Sequence, residues 1–127
     1  MEKTLSPIKT FYDLEVYRLG HDLAMKIFEI SQKFPEEEKC SLIDQIRRSS
    51  RSVAVNIAEG WGKRKYPDLF KRHLIDANGS VEETKSWLLI SLGYNYLTNE
   101  SYNQLLAKYE ELGAKLFKLH DSWKAFQ

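Results

Sequence analysis

A single cysteine, Cys40, stands in the chain, so no intrachain disulfide can form, and it is read as an ordinary free thiol. Six glycines and three prolines are spread over 127 residues, too few for a low-complexity chain and in keeping with a helix-rich single domain. Long apolar runs are missing as well. The longest, Trp87 to Ile90, is far too short to span a bilayer, and the opening MEKTLSPIKT lacks the apolar stretch of a signal peptide. A cytoplasmic location is expected.

Catalytic signatures are equally scarce. A di-iron bundle needs Glu-x-x-His pairs on facing helices, but Arg18, Phe70 and Phe117 stand three residues before His21, His73 and His120. The stretch GWGKR has Ile57 where a phosphate loop requires its first glycine and Arg64 where it requires serine or threonine. No Gly-x-Ser-x-Gly elbow is present. No catalytic residue, metal or cofactor is expected, and the protein is read as a non-enzyme.

Helical periodicity is abundant. Apolar residues make up 43% of the chain, enough for a substantial core, and four segments carry them at three- and four-residue steps with no sustained strand alternation. Helices are expected over about 14–33 with Asp13 as N-cap, 42–61 after Ser41 and ended by Gly60 and Gly62, 67–94 opening on Pro67, and 99–124 after the cap Thr98. In the last of these, Tyr102, Leu105, Tyr109, Leu112, Leu116, Leu119 and Trp123 form an unbroken seam. Short connections make neighbours antiparallel, so the expected fold is all-α: one up-down-up-down four-helix bundle over 1–127.

Charge is balanced overall and uneven locally. The net charge is +1, yet between Arg47 and Arg72 eight basic residues (Arg47, Arg48, Arg51, Lys63, Arg64, Lys65, Lys71, Arg72) face only Glu59 and Asp68, a local +6. That asymmetry points to a polyanionic partner. At about 100° per residue, Ile46 and Ile57 lie within about 40° of Val53 while Arg47, Arg48 and Arg51 lie opposite. The second helix is therefore core on one face and basic on the other. Tyr66 and Trp61 are candidates for stacking on unpaired bases. The bland counterpart is a solvated basic face, with Asp44 pairing Arg48 one turn on.

Three further features call for partners. Val55 points outward among the arginines. Trp87, Leu88, Leu89, Ile90 and Leu92 surround their helix, and Leu106 and Phe117 widen the apolar face of the fourth. Either a homo-oligomer or a thick monomer core accounts for them, and the oligomer is the expectation adopted. Asn56, Glu59 and Glu83 flank the second and third helices, where buried polar groups must find partners. A structural polar network joining those helices is the first reading and a ligand site the second. Gly79 and Ser80 in mid-helix would let another backbone approach.

At Asn56-Ile57-Ala58-Glu59-Gly60, preceded by QIRRSSRSV and followed by Phe70 and ANGSVEE, the sequence resembles the four-helix-bundle family of 23S rRNA intervening-sequence proteins. The similarity takes in DLEVYRLGHDLA, KFP, Gln45 to Arg48, and Gly79-Ser80 with Glu83. Ala54 stands where the family commonly has proline, and Cys40-Ser41-Leu42-Ile43 replaces Tyr-Gly-Leu-Thr, so the resemblance does not carry over a kink in helix two or its usual cap. Relatives include the accessory protein of diversity-generating retroelements, a basic homopentameric barrel that binds nucleic acid and a reverse transcriptase. The resemblance implies a bacterial, non-enzymatic oligomer, with a pentamer as the implied assembly. It also implies RNA or single-stranded DNA as ligand and a nucleic-acid-processing protein as a further partner. The competing reading is a protein-interaction scaffold whose basic face packs on a neighbouring subunit or an acidic partner.

Overall fold

The structure, a computed structural model, describes residues 7–123. Four helices carry it: α1 (Glu15–Ser31), α2 (Leu42–Gly62), α3 (Pro67–Gly93) and α4 (Asn99–Ser122), with short 3₁₀ turns at Phe11–Asp13 and Glu36–Glu38. There is no strand among the described residues.

Contacts between the helices fix their directions. Between α1 and α2, Arg47 reaches Ser31 while Gly20 lies against Val53. From α2 to α3 the pairs are Ser49 with Thr84, Ser52 with Ser80 and Asn56 with His73. Lys85 meets Glu110 and Asn78 meets the Gly113 carbonyl between α3 and α4, and Lys115 closes the ring by pairing Glu15 of α1 at 3.0 Å. In the first three pairings sequence numbers rise on one helix as they fall on the other, so the bundle runs up-down-up-down.

The core follows the periodic positions. Ile27, Ile46, Val53, Ile57, Phe70, Val81, Leu88, Tyr109, Leu112 and Leu116 are fully buried, and burying each large apolar side chain contributes about 1.5–3 kcal/mol. Leu88 joins the core, whereas Leu89 is 56% exposed and Trp87, Ile90 and Leu92 are half-buried. The apolar girdle of α3 is thus only partly covered within one chain.

Three expectations about helix ends need correction. Asp13 does not cap α1; its carboxylate accepts from the Lys9 and Thr10 backbone N–H groups and belongs to the turn before the helix. Ser41 precedes α2 without capping it through its side chain. Instead Glu38 Oε1 accepts from both Ser41 Oγ at 2.7 Å and the Leu42 N–H at 3.4 Å. Gly60 is not a terminator but a point of close approach. A Cβ there would lie 2.7 Å from His73 Cβ and 3.1 Å from Phe70 Cδ1, so glycine is what lets α2 and α3 converge. α2 runs through Ala54 to Gly62 without a break. Pro67 at the start of α3 and the Thr98 side chain accepting from Ser101 N–H at 3.0 Å are as expected.

Candidate nucleic-acid interface

The basic segment spans the exposed side of α2, the α2–α3 turn (63–66) and the first turns of α3, and of its eight cations three are engaged within the chain and five are not. Arg47 is committed inside the chain: its Nε donates to Ser31 Oγ at 2.8 Å and its guanidinium lies 4.3 Å above the Phe28 ring. Arg64 is half-committed, with Nη1 donating to the Trp61 carbonyl at 2.9 Å and the guanidinium 4.1 Å over the Trp61 ring. Lys63 sits between Glu59 Oε2 at 3.5 Å and His73 Nε2 at 3.0 Å. Arg48, Arg51, Lys65, Lys71 and Arg72 have no side-chain hydrogen bond or ion pair among the described residues, and all but half-buried Lys71 are exposed. The Asp44–Arg48 pair does not form. Arg48 and Arg51 therefore project from α2, while Lys65, Lys71 and Arg72 gather near the turn.

The stacking candidates separate cleanly. Trp61 is 5% exposed and packs edge-on against Phe70 and Trp123 at 6.3 and 6.1 Å between ring centroids. It is a core residue. Tyr66 is 62% exposed beside Lys65. Together with Gly62, Arg64 and Lys65 it lines an open hollow of about 640 Å³.

The polar network between α2 and α3 exists, with a different membership from that expected. Asn56 donates through Nδ2 to the Ser52 carbonyl and hydroxyl at 3.1 and 3.2 Å, which leaves Oδ1 to accept from His73 Nδ1 at 3.1 Å. With that tautomer, His73 Nε2 accepts from the Lys63 ammonium, and Glu59 joins through Lys63. Ser80 donates to Ser52 at 2.9 Å, and Thr84 Oγ1 lies 2.8 Å from both Ser49 Oγ and the Ser80 carbonyl. Glu83 stands outside this network: its carboxylate accepts from Trp87 Nε1 within α3, on the exposed side. The buried members are Ser49 and Thr84, small residues that carry no signal in a one-dimensional reading. Gly79 has nothing within 4 Å of where a Cβ would stand, so among the described residues no other element packs against it there.

Exposed apolar side chains surround α2 and α3. Met25, Phe28 and Val55 are about half exposed or more, and Ile75, Leu89 and Phe117 likewise. Between α1 and α2 a hollow of about 290 Å³ is walled by Ala24, Met25, Phe28 and Ser50 under Arg47 and Arg51. No group of three or more His, Cys, Asp or Glu that could hold a metal occurs among the described residues, and no helix is long and apolar enough to cross a membrane.

The fold is similar to that of a crystal structure described as a protein with unknown function from the S23 ribosomal protein family of Bacteroides thetaiotaomicron. The TM-score is 0.76 and the identity 24%, covering 84% of this chain and 99% of that one. At this identity the likeness speaks to the fold. No curated protein matches the chain. The family model for the 23S rRNA-intervening sequence protein matches residues 12–118, a span from the first 3₁₀ turn almost to the end of α4 that takes in every helix, and on that match the chain belongs to the 23S rRNA-intervening sequence protein family.

Proposed function

We propose that the protein is a non-enzymatic, oligomeric nucleic-acid-binding protein that takes RNA or single-stranded DNA through backbone phosphates. The observation that carries this reading is the placement of Lys65 in the α2–α3 turn and of Lys71 and Arg72 in the first turns of α3, all three without a side-chain partner among the described residues. Unpaired cations close together along the chain can neutralise phosphates and release counterions. The family's name, with its reference to rRNA, agrees with a role tied to RNA. The half-exposed Val55, Leu89 and Phe117 support a homo-oligomer, since a second copy would take them out of water.

A second reading applies to the α2 arginines. Arg51 rims a hollow whose walls are mostly apolar, a better match for a protein side chain than for a phosphate. A neighbouring subunit or an acidic partner is the scaffold interpretation of that face. Sizing the purified protein with and without a structured RNA at low and moderate salt separates the two. The nucleic-acid reading expects a complex that dissociates as salt rises, with a log-log slope of about −0.7 per single-strand phosphate contact. Absence of association at low salt would transfer the whole basic face to the scaffold reading.

A further inference from the structure

We infer that the hollow at the α2–α3 turn is a subsite for one unpaired nucleotide, with the Tyr66 ring as the platform for its base and Lys65 and Arg64 as the cations for the adjoining phosphate. The inference rests on the nucleic-acid reading above and deepens it, because phosphate contacts alone give no preference between single strands and duplexes of equal charge density.

Four features meet there. The Tyr66 ring is 62% exposed and makes no contact with another aromatic ring among the described residues. Its backbone is fully employed: the N–H donates to the Lys63 carbonyl, and the carbonyl accepts from the Leu69 and Phe70 N–H groups at the start of α3. The turn thus holds the residue in place while its side chain is left unused. Arg64 is held by the Trp61 carbonyl and ring, so a planar donor is fixed at the edge of the hollow, and guanidinium forks suit phosphate oxygens. Gly62 lines the same space, and a Cβ on it would meet nothing within 4 Å, which leaves bare backbone along that wall.

An exposed aromatic ring flanked by cations is the arrangement that takes a base face and its phosphate together. In a duplex both faces of each base are covered by its neighbours, so only a splayed or single-stranded base can lie on Tyr66. A loop, bulge or strand end of RNA, or single-stranded DNA, is the ligand class.

The test compares a fluorescein-labelled single-stranded oligonucleotide with a duplex of the same sequence by anisotropy, at one salt concentration, on wild-type protein, Tyr66→Ala and Tyr66→Phe. Tyr66→Ala should bind the single strand about tenfold more weakly, with duplex binding and the salt slope unchanged. Tyr66→Phe, which keeps the ring, should bind like wild type. If Tyr66→Ala binds the single strand as well as wild type does, the subsite is overturned while the phosphate reading stands. If wild type binds neither probe at low salt, both fall. A changed sedimentation mass for Tyr66→Ala would place the ring in an interface between copies and also overturn the subsite.

Discussion

Tyr96 donates a 2.8 Å hydrogen bond from its hydroxyl to Glu38 Oε2 and so ties the α3–α4 turn to the connection before α2. The same carboxylate, through Oε1, accepts from Ser41 and from the first N–H of α2. One side chain therefore holds two loops and a helix start. Phe34, packed against Tyr96 at 5.3 Å between ring centroids, covers the junction.

The pH dependence of this tie follows from its two partners. Ser41 first, then Tyr96, hold the Glu38 carboxyl below the ordinary glutamate range, so its contribution is present above that range and lost as pH falls through the lowered value. Glu38 pushes the Tyr96 phenol up to about 12 from 10.0, so that contribution is complete below 10 and lost as pH rises through about 12. Tyr96→Phe should lower the melting temperature at neutral pH, and thermal scans across pH should show the difference from wild type shrinking at both extremes. A difference independent of pH would contradict the tie.

Two glycines should respond in opposite directions to alanine. At Gly60 the new methyl meets His73 Cβ at 2.7 Å, and overpacking of about 1–3 kcal/mol exceeds the helix-propensity gain of about 1 kcal/mol. At Gly79 nothing stands within 4 Å, so Gly79→Ala should stabilise by about 0.5–1 kcal/mol. Chemical denaturation of both variants checks the pair, with assembly mass recorded alongside.

Arg47 and Lys65 should exchange roles between stability and binding. Arg47→Ala loses the Ser31 hydrogen bond and the contact over Phe28, at about 1–2 kcal/mol, and leaves the salt dependence of nucleic-acid binding unchanged. Lys65→Ala should leave stability unchanged and lower the magnitude of the salt slope by about 0.7. Denaturation curves and salt titrations on the two variants distinguish them.

Thr84→Val keeps the shape of a fully buried residue and removes the hydroxyl that meets Ser49 at 2.8 Å. Ser49 is then left with the Ile46 carbonyl at 3.3 Å, and the loss should be about 1–3 kcal/mol. Ser49→Ala combined with Thr84→Val should cost less than the two single changes added together, because the second removes a partner already lost. A double-mutant cycle by calorimetry measures the coupling.

Much of the fold was legible because its signals are local. Pro67 at the start of α3 and Thr98 before α4 act within three residues of the helix they open, and the unbroken seam of α4 needs only a periodic count. Asp13, Ser41 and Gly60 were misread because each takes its meaning from elsewhere. Asp13 turns back to Lys9, the start of α2 is capped by Glu38, and Gly60 answers to His73 on another helix. The arginines show the same limit. A helical wheel sets Arg47 beside Arg48 and Arg51, but only the position of Phe28 on α1 reveals that Arg47 is engaged. Asn56 and Glu59 were found through their polarity in an apolar neighbourhood. Their partners Ser52, Ser80 and His73 become distinctive only once α2 and α3 are side by side.

The placement of Arg64 over Trp61 gives the protein an optical reporter. The indole, with the guanidinium 4.1 Å above its ring and Trp123 on another side at 6.1 Å, emits from a pocket whose field depends on where that cation sits. An anion that draws Arg64 outward would shift and change the intensity of tryptophan emission without any added dye. The remaining indole, Trp87, lies in the last two turns of α3 and donates to Glu83, so Trp87→Phe would remove a background signal and leave emission from Trp61 and its neighbour Trp123 alone.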